Sequence, residues 1–146
     1  MINNILVVCE GNICRSPMAQ GLMKRALPSM IVNSAGLSAM VGHRADPIAI
    51  DLMAERGIDI SEHCAVSLNL EHVRTAQIVF VMTQQQRRRI EAIYPYLKGK
   101  VYCLGEHERV DITDPYRKNR SIFETSLAEI ERGVDRWLNM MTRLID

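Results

Sequence analysis

The chain has 146 residues, 47% of them hydrophobic and 24% charged, the make-up of one folded domain that buries roughly 68–70% of the surface its unfolded form would expose, not of a disordered or fibrous chain. A formal net charge of +1 supplies no broad field for collecting nucleic acid or anionic lipid, so any anion affinity has to be local. The four cysteines, at 9, 14, 64 and 103, include no C-x2-C pair, which argues against structural zinc and a disulfide scaffold and for reduced thiols in the cytosol.

The amino-terminal MINNILVV carries no basic residue ahead of its short apolar run, and no stretch approaches the ~20 apolar residues of a membrane span. A cytoplasmic protein without membrane insertion is expected. The run NILVVC at 4–9 is short, rich in β-branched residues and scarcely alternating, the pattern of a strand buried on both faces. It leads into EGNIC and then into Arg15-Ser16-Pro17, where Ser16 suits an N-cap and Pro17 the first helical position. The helix that follows has its apolar stripe at Met18, Ala19, Leu22, Met23 and Ala26.

A second strand is predicted at 30–35, then a helix with Ile48, Leu52 and Met53 that stops at Gly57. A third strand follows at 77–82 and a third helix from about Gln84 to Tyr94, ended by Pro95. A fourth strand is expected at 100–105. The longest helix, about Ile122 to Ile145, lines up Leu127, Ile130, Val134, Leu138 and Met141 on one side. Strands and helices in alternation predict an α/β fold: a doubly wound, four-stranded parallel sheet with helices on both faces, in one domain over 1–146. Such folds bind ligands at the carboxyl ends of their strands.

Cys9 falls at such an end. Gly11 and Asn12 are residue types that enter left-handed backbone at low cost, so the turn from Glu10 to Cys14 can aim successive N–H groups inward as an anion nest beside a helix N-terminus. Arg15 closes the nest with a fork matched to phosphate oxygens. A cysteine among these groups is expected to be ionised at neutral pH and nucleophilic. The P-loop pattern G-x-x-x-x-G-K-[ST] is not met, because the segment lacks the lysine and the second glycine. As the loop curls, Cys14 approaches Cys9; either a reversible disulfide there shields the nucleophile or Cys14 simply packs.

The sequence resembles the low-molecular-weight protein tyrosine phosphatases along essentially its whole length. VCEGNICRSPMAQ near the start, NSAGL at 33–37, ADPIAI at 45–50, EHCA at 62–65 and ITDPYRK at 112–118 carry the resemblance. It lies nearest the bacterial branch, whose members often oppose an autophosphorylating tyrosine kinase of exopolysaccharide or capsule export. The resemblance implies that Cys9 is the nucleophile, Arg15 the phosphate clamp, and Asp114 of the Asp-Pro-Tyr segment the general acid, held extended by Pro115. Asp111 is its nearest competitor.

By the same resemblance, Asn12, Ser16, Ser34 and His63 hold the loop open and Ser16 also steadies the thiolate, while Glu10, Gly11, Asn12, Ile13, Cys14 and Ser16 contribute to substrate binding together with Leu37, Met40 and Tyr116. The segment 37–43 has no aromatic residue, and Val66 stands where relatives carry arginine. Arg117, Lys118 and Arg120 either attract acidic substrate segments or form a solvated face, and Arg87 to Arg89 read as solvated surface.

The implied activity is metal-independent hydrolysis of phosphotyrosine through a cysteinyl-phosphate, with no cofactor. The implied partner is a phosphotyrosine protein, a cognate tyrosine kinase. Oligomeric state is not written in the sequence. Two rival readings are an arsenate reductase, which needs a relay cysteine pair that is absent between Cys64 and Cys103, and a non-catalytic anion-binding or redox-sensing module.

Overall fold

The computed structural model describes residues 2–145; the two end positions of the expected 1–146 domain lie outside the described residues. Four strands, β1 (Asn4–Cys9), β2 (Ile31–Gly36), β3 (Ile78–Val81) and β4 (Val101–Cys103), form one parallel sheet in the order β2-β1-β3-β4. Five helices surround it: α1 (Arg15–Ala26), α2 (Pro47–Glu55), α3 (Leu70–Thr75), α4 (Gln84–Ile93) and α5 (Arg120–Ile145).

The scarce alternation in β1 has its reason here. Ile5, Val7 and Cys9 face a core built from α1, α2 and α5, while Leu6 and Val8 face a second core that includes Val73 of α3 and Ile90 of α4. A strand covered on both faces has no solvated side to populate with polar residues. The predicted elements stand within a residue or two at most ends, although β4 is shorter than expected. The structure adds α3, whose start is fixed by reciprocal bonds between Asn69 and His72, and two short 3-10 turns at Pro95–Leu97 and Glu106–Glu108. Helix α2 stops as predicted: Gly57, at φ 76°, lets its own N–H reach Ala54 O and the Ile58 N–H reach Met53 O.

The direction in which strands are added to the sheet reverses at β1, since β2 lies on one side of β1 and β3 on the other. The crevice at their carboxyl ends is where this architecture exposes a site. Gly36, paired with Cys9 across the sheet, sets one wall. A β-carbon there would lie 2.7 Å from the Glu10 carbonyl oxygen. Its absence lets the next residues run along the first loop, with Leu37 N–H donating to Cys9 O, Ser38 N–H to Glu10 O and Met40 N–H to Gly11 O.

Candidate active site

The loop between β1 and α1 is shaped at Asn12, which adopts φ 60° and is fully buried. Gly11, expected to share the left-handed region, does not enter it. Ser16 also departs from expectation: Cys14 occupies the N-cap of α1 without a side-chain cap bond, and Ser16 lies one residue inside the helix. The hydroxyl is taken by a different partner. Ser16 Oγ lies 2.9 Å from Cys9 Sγ.

The hydroxyl belongs to a chain of side-chain hydrogen bonds beneath the loop. The Val66 N–H donates to Asn12 Oδ1 at 3.0 Å, so the Asn12 amide nitrogen faces the other way and donates to Ser16 Oγ at 2.8 Å and Ser34 Oγ at 3.0 Å. Ser34 donates in turn to Gln20 Oε1 at 2.7 Å, and Gln20 Nε2 donates to Val32 O at 2.9 Å. Ser16 accepts from Asn12 and still has its proton and a second lone pair for Cys9, so either atom can donate across the 2.9 Å contact. The His63 Nε2–H donates to the Asn12 carbonyl at 2.7 Å. Burial disfavours the imidazolium and holds the His63 pKa below 6.5, the bond to Asn12 opposes this, and the Lys24 charge adds to the lowering.

The arginine of the loop reaches the last loop of the sheet. Arg15 is only 4% exposed; Nη1 donates to Ile112 O at 3.0 Å, and Nη2 lies 3.6 Å from Asp114 Oδ2. The path that brings Asp114 there is anchored twice. Ile112 N–H donates to Met82 O at 2.9 Å, just beyond β3, and Thr113 N–H donates to Glu129 Oε1 of α5 at 2.9 Å. The Asp114 side chain is 53% exposed and accepts from the Tyr116 N–H at 3.1 Å. Asp111 is spent elsewhere, accepting from Gln84 N–H at the start of α4.

These groups surround a cavity of about 290 Å³ lined by Cys9, Glu10, Gly11, Ile13, Cys14, Arg15, Ser38, Met40, Asp114 and Tyr116. Most residues singled out from the sequence therefore meet in one place. Asn12, Ser16 and Ser34 are not part of the lining and belong to the network beneath it, with His63 behind the loop. Leu37 is a correction: it packs against the second core with Leu68 and Tyr94. Leu37 follows Ala35 onto that face as β2 ends, and the turn that begins there carries Ser38 and Met40 to the cavity, held by their N–H bonds to Glu10 O and Gly11 O. Ser38 went unnoticed in the sequence, because it lies in the turn beyond β2 where no strand period applies.

The basic residues also need correction. Arg89 is not merely solvated; its Nη1 donates to both carboxylate oxygens of Glu10, at 2.9 and 2.8 Å. Arg120 is paired with Glu55 and Glu124, and the Arg117 guanidinium lies 5.2 Å from the centre of the Tyr116 ring. Partial burial would raise the Glu10 pKa, but hydrogen bonds from Arg89 and Ser38 and the charges of Arg89 and Arg15 outweigh it and hold the carboxyl below its ordinary value. Cys14 is pushed far up, first by burial and then by the nearby Asp46, Cys9 and Asp114. Cys103, on the other core, is raised to about 11, chiefly by burial. The four cysteines are free thiols. Among the described residues, no group of three or more His, Cys, Asp or Glu side chains is arranged to hold a metal ion, and no helix is long and apolar enough to cross a membrane.

A doubly wound α/β domain that brings a thiol, a guanidinium and a loop carboxylate to one anion-sized cavity has the layout of a cysteine-dependent phosphatase. Comparison with known proteins agrees. A sequence model of the family described as low molecular weight phosphotyrosine protein phosphatase matches residues 4–144, and the chain belongs to that family. It is 54% identical over 138 residues to the probable low molecular weight protein-tyrosine-phosphatase EpsP of Ralstonia solanacearum, covering 94% of this chain and 95% of that one. The crystal structure of the tyrosine phosphatase Wzb from Escherichia coli K30 in complex with sulphate superposes with a TM-score of 0.92 at 34% identity, covering 97% and 99% of the two chains. The YwlE arginine phosphatase from Geobacillus stearothermophilus superposes with a TM-score of 0.90 at 32% identity, over 97% and 94%.

Proposed function

We propose that this protein hydrolyses phosphotyrosine in proteins, with Cys9 as nucleophile, Arg15 as phosphate clamp and Asp114 as proton donor and later acceptor. The observation that carries the reading is the convergence of these three side chains on one cavity from opposite ends of the sequence. In the first step Cys9 Sγ forms a bond to phosphorus, the phosphorus–phenolate bond breaks, and the Asp114 proton goes to the leaving oxygen. In the second, ionised Asp114 takes a proton from water. The hydroxide so formed attacks phosphorus, the P–S bond breaks, and the thiolate and inorganic phosphate are released.

The Ser16 hydroxyl stabilises the thiolate in both steps by a charge-assisted bond. Arg15 and the backbone N–H groups of residues 10–14 serve the equatorial oxygens, and preorganisation of such donors is the main source of rate enhancement in this chemistry. Met40 and Tyr116 form the apolar walls for the aryl ring. The single domain acts in the cytoplasm without metal or cofactor, and its substrate is an autophosphorylating tyrosine kinase of exopolysaccharide export, a partner supported by the family resemblance. The relay of an arsenate reductase is disfavoured by position: Cys103 lies in the core on the other face of the sheet from Cys9.

Hydrolysis of phosphotyrosine, phosphoserine and phosphoarginine peptides with a chelator present tests the proposal. Turnover is expected for phosphotyrosine, abolished in Cys9→Ala and strongly reduced in Asp114→Ala. Preferred release of phosphate from phosphoarginine would assign the site to the other substrate class found among its structural relatives, and phosphate binding without turnover would leave only the anion-binding reading.

A further inference from the structure

A cavity for a phosphoryl dianion is here lined by two carboxylates, and only one has a place in the chemistry. Asp114 enters the first step carrying a proton, which removes its charge as substrate binds. Glu10 has no such release: its carboxylate stays ionised, next to the thiol and on the cavity wall. A charge on that wall repels an incoming dianion, and Arg15 is already engaged with Ile112 O and Asp114. The charge is answered from outside the lining by Arg89 of α4, whose Nη1 is shared between the two Glu10 oxygens at 2.9 and 2.8 Å.

We propose that Arg89 is a positioning residue for phosphoryl binding, acting through Glu10: it cancels the Glu10 charge and draws that carboxylate toward α4, so that the cavity presents a net positive face to the dianion. The inference rests on the phosphatase reading of the site and adds a residue that the motif does not contain. Both partners are 40% exposed in their side chains, so the pair contributes little to stability; its effect falls on the ligand. A unit charge left uncovered within several ångströms of a dianion, in the mixed dielectric of a cavity mouth, weakens binding by about tenfold. Because the effect is electrostatic and partly exposed, salt reduces it.

The test measures KM and kcat for a small aryl phosphate, and inhibition by inorganic phosphate, in wild type, Arg89→Met, Arg89→Lys, Glu10→Gln and the Glu10→Gln/Arg89→Met double variant at low ionic strength. Arg89→Met is expected to raise KM and the phosphate inhibition constant together by about tenfold with kcat within about twofold. Arg89→Lys keeps most of the wild-type affinity, 1 M salt narrows the gap, and in the Glu10→Gln background the Arg89→Met change costs clearly less than in wild type, because no carboxylate is left to be released toward the cavity. Unchanged KM in Arg89→Met, a penalty of the same size with and without the Glu10 charge, or a loss confined to kcat overturns the proposal. Absence of turnover in wild type, or its survival in Cys9→Ala, overturns the phosphatase reading instead. Phosphate affinity measured by calorimetry on the same variants still decides the role of Arg89.

Discussion

Ser16 Oγ stands 2.9 Å from Cys9 Sγ while accepting from the Asn12 amide. When Cys9 attacks as a thiolate the sulfur can only accept, and the hydroxyl proton then serves it. Ser16→Ala removes the contact without opening space for a large rearrangement. Bonds to charged groups are worth about 1.5–3 kcal/mol, so kcat/KM should fall on the order of 10- to 100-fold, and alkylation of Cys9 by iodoacetamide at neutral pH should slow in parallel. Fast alkylation with low activity would show that Ser16 serves the substrate and not the thiolate.

Asn12 combines three side-chain bonds, complete burial and a left-handed backbone. Asn12→Ala loses the bonds, leaves the Val66 N–H without its partner and keeps the backbone strain, a cost of about 2–4 kcal/mol in urea unfolding. Asn12→Gly loses the same bonds but relieves the backbone, and should be less destabilised by about 1 kcal/mol. Equal losses would mean that the turn is not held at φ 60° in solution.

Asp114 delivers its proton only if the leaving oxygen needs one. Asp114→Ala should reduce turnover of phosphotyrosine by about 10²–10⁴-fold, and much less for an aryl phosphate whose phenol is already acidic. The slope of rate against leaving-group acidity is the measurement. An equal loss across the series would assign Asp114 a binding role through Arg15.

His63 titrates below its ordinary 6.5 in the folded chain, chiefly through burial. As pH falls the unfolded chain takes up the proton first. The contribution of neutral His63 to stability is therefore complete above about pH 6.5 and is lost as pH drops from there through the lowered folded pKa. Wild-type Tm should fall across that window more steeply than the Tm of His63→Gln, whose amide N–H can donate to Asn12 without titrating. Parallel curves would contradict the assigned protonation state.

The fold was legible because its signals are local and agree with one another. NILVVC and QIVFVM read as doubly buried strands, Pro95 and Gly57 as stops, and each does what its residue type dictates. The nucleophile loop was legible for the same reason, being continuous in sequence. What the sequence hid are choices made by tertiary partners. Arg89 looks like one of three solvated arginines, yet Glu10 waits 79 positions away. Leu37 follows Ala35 onto the face of the second core, and Asn69 starts α3 with a histidine in place of the usual glutamate of a capping box.

The wall residues separate those two neighbours cleanly. Met40→Ala should raise KM for aryl phosphates with little change in Tm, because Met40 lines the cavity. Leu37→Ala should lower Tm and leave KM within about twofold, since Leu37 packs against the second core. Thermal unfolding and steady-state kinetics on the two variants check the pair.

The decisive measurement is acid quenching of Asp114→Ala during turnover of an aryl phosphate with an acidic leaving group, followed by peptide mass analysis. One phosphoryl group should appear on the peptide containing Cys9, in a burst of phenol release that precedes steady turnover, and should be missing from Cys9→Ala. Continued hydrolysis with no phosphoryl group on that peptide, or a Cys9→Ala protein that still turns over, would contradict nucleophilic attack by the sulfur.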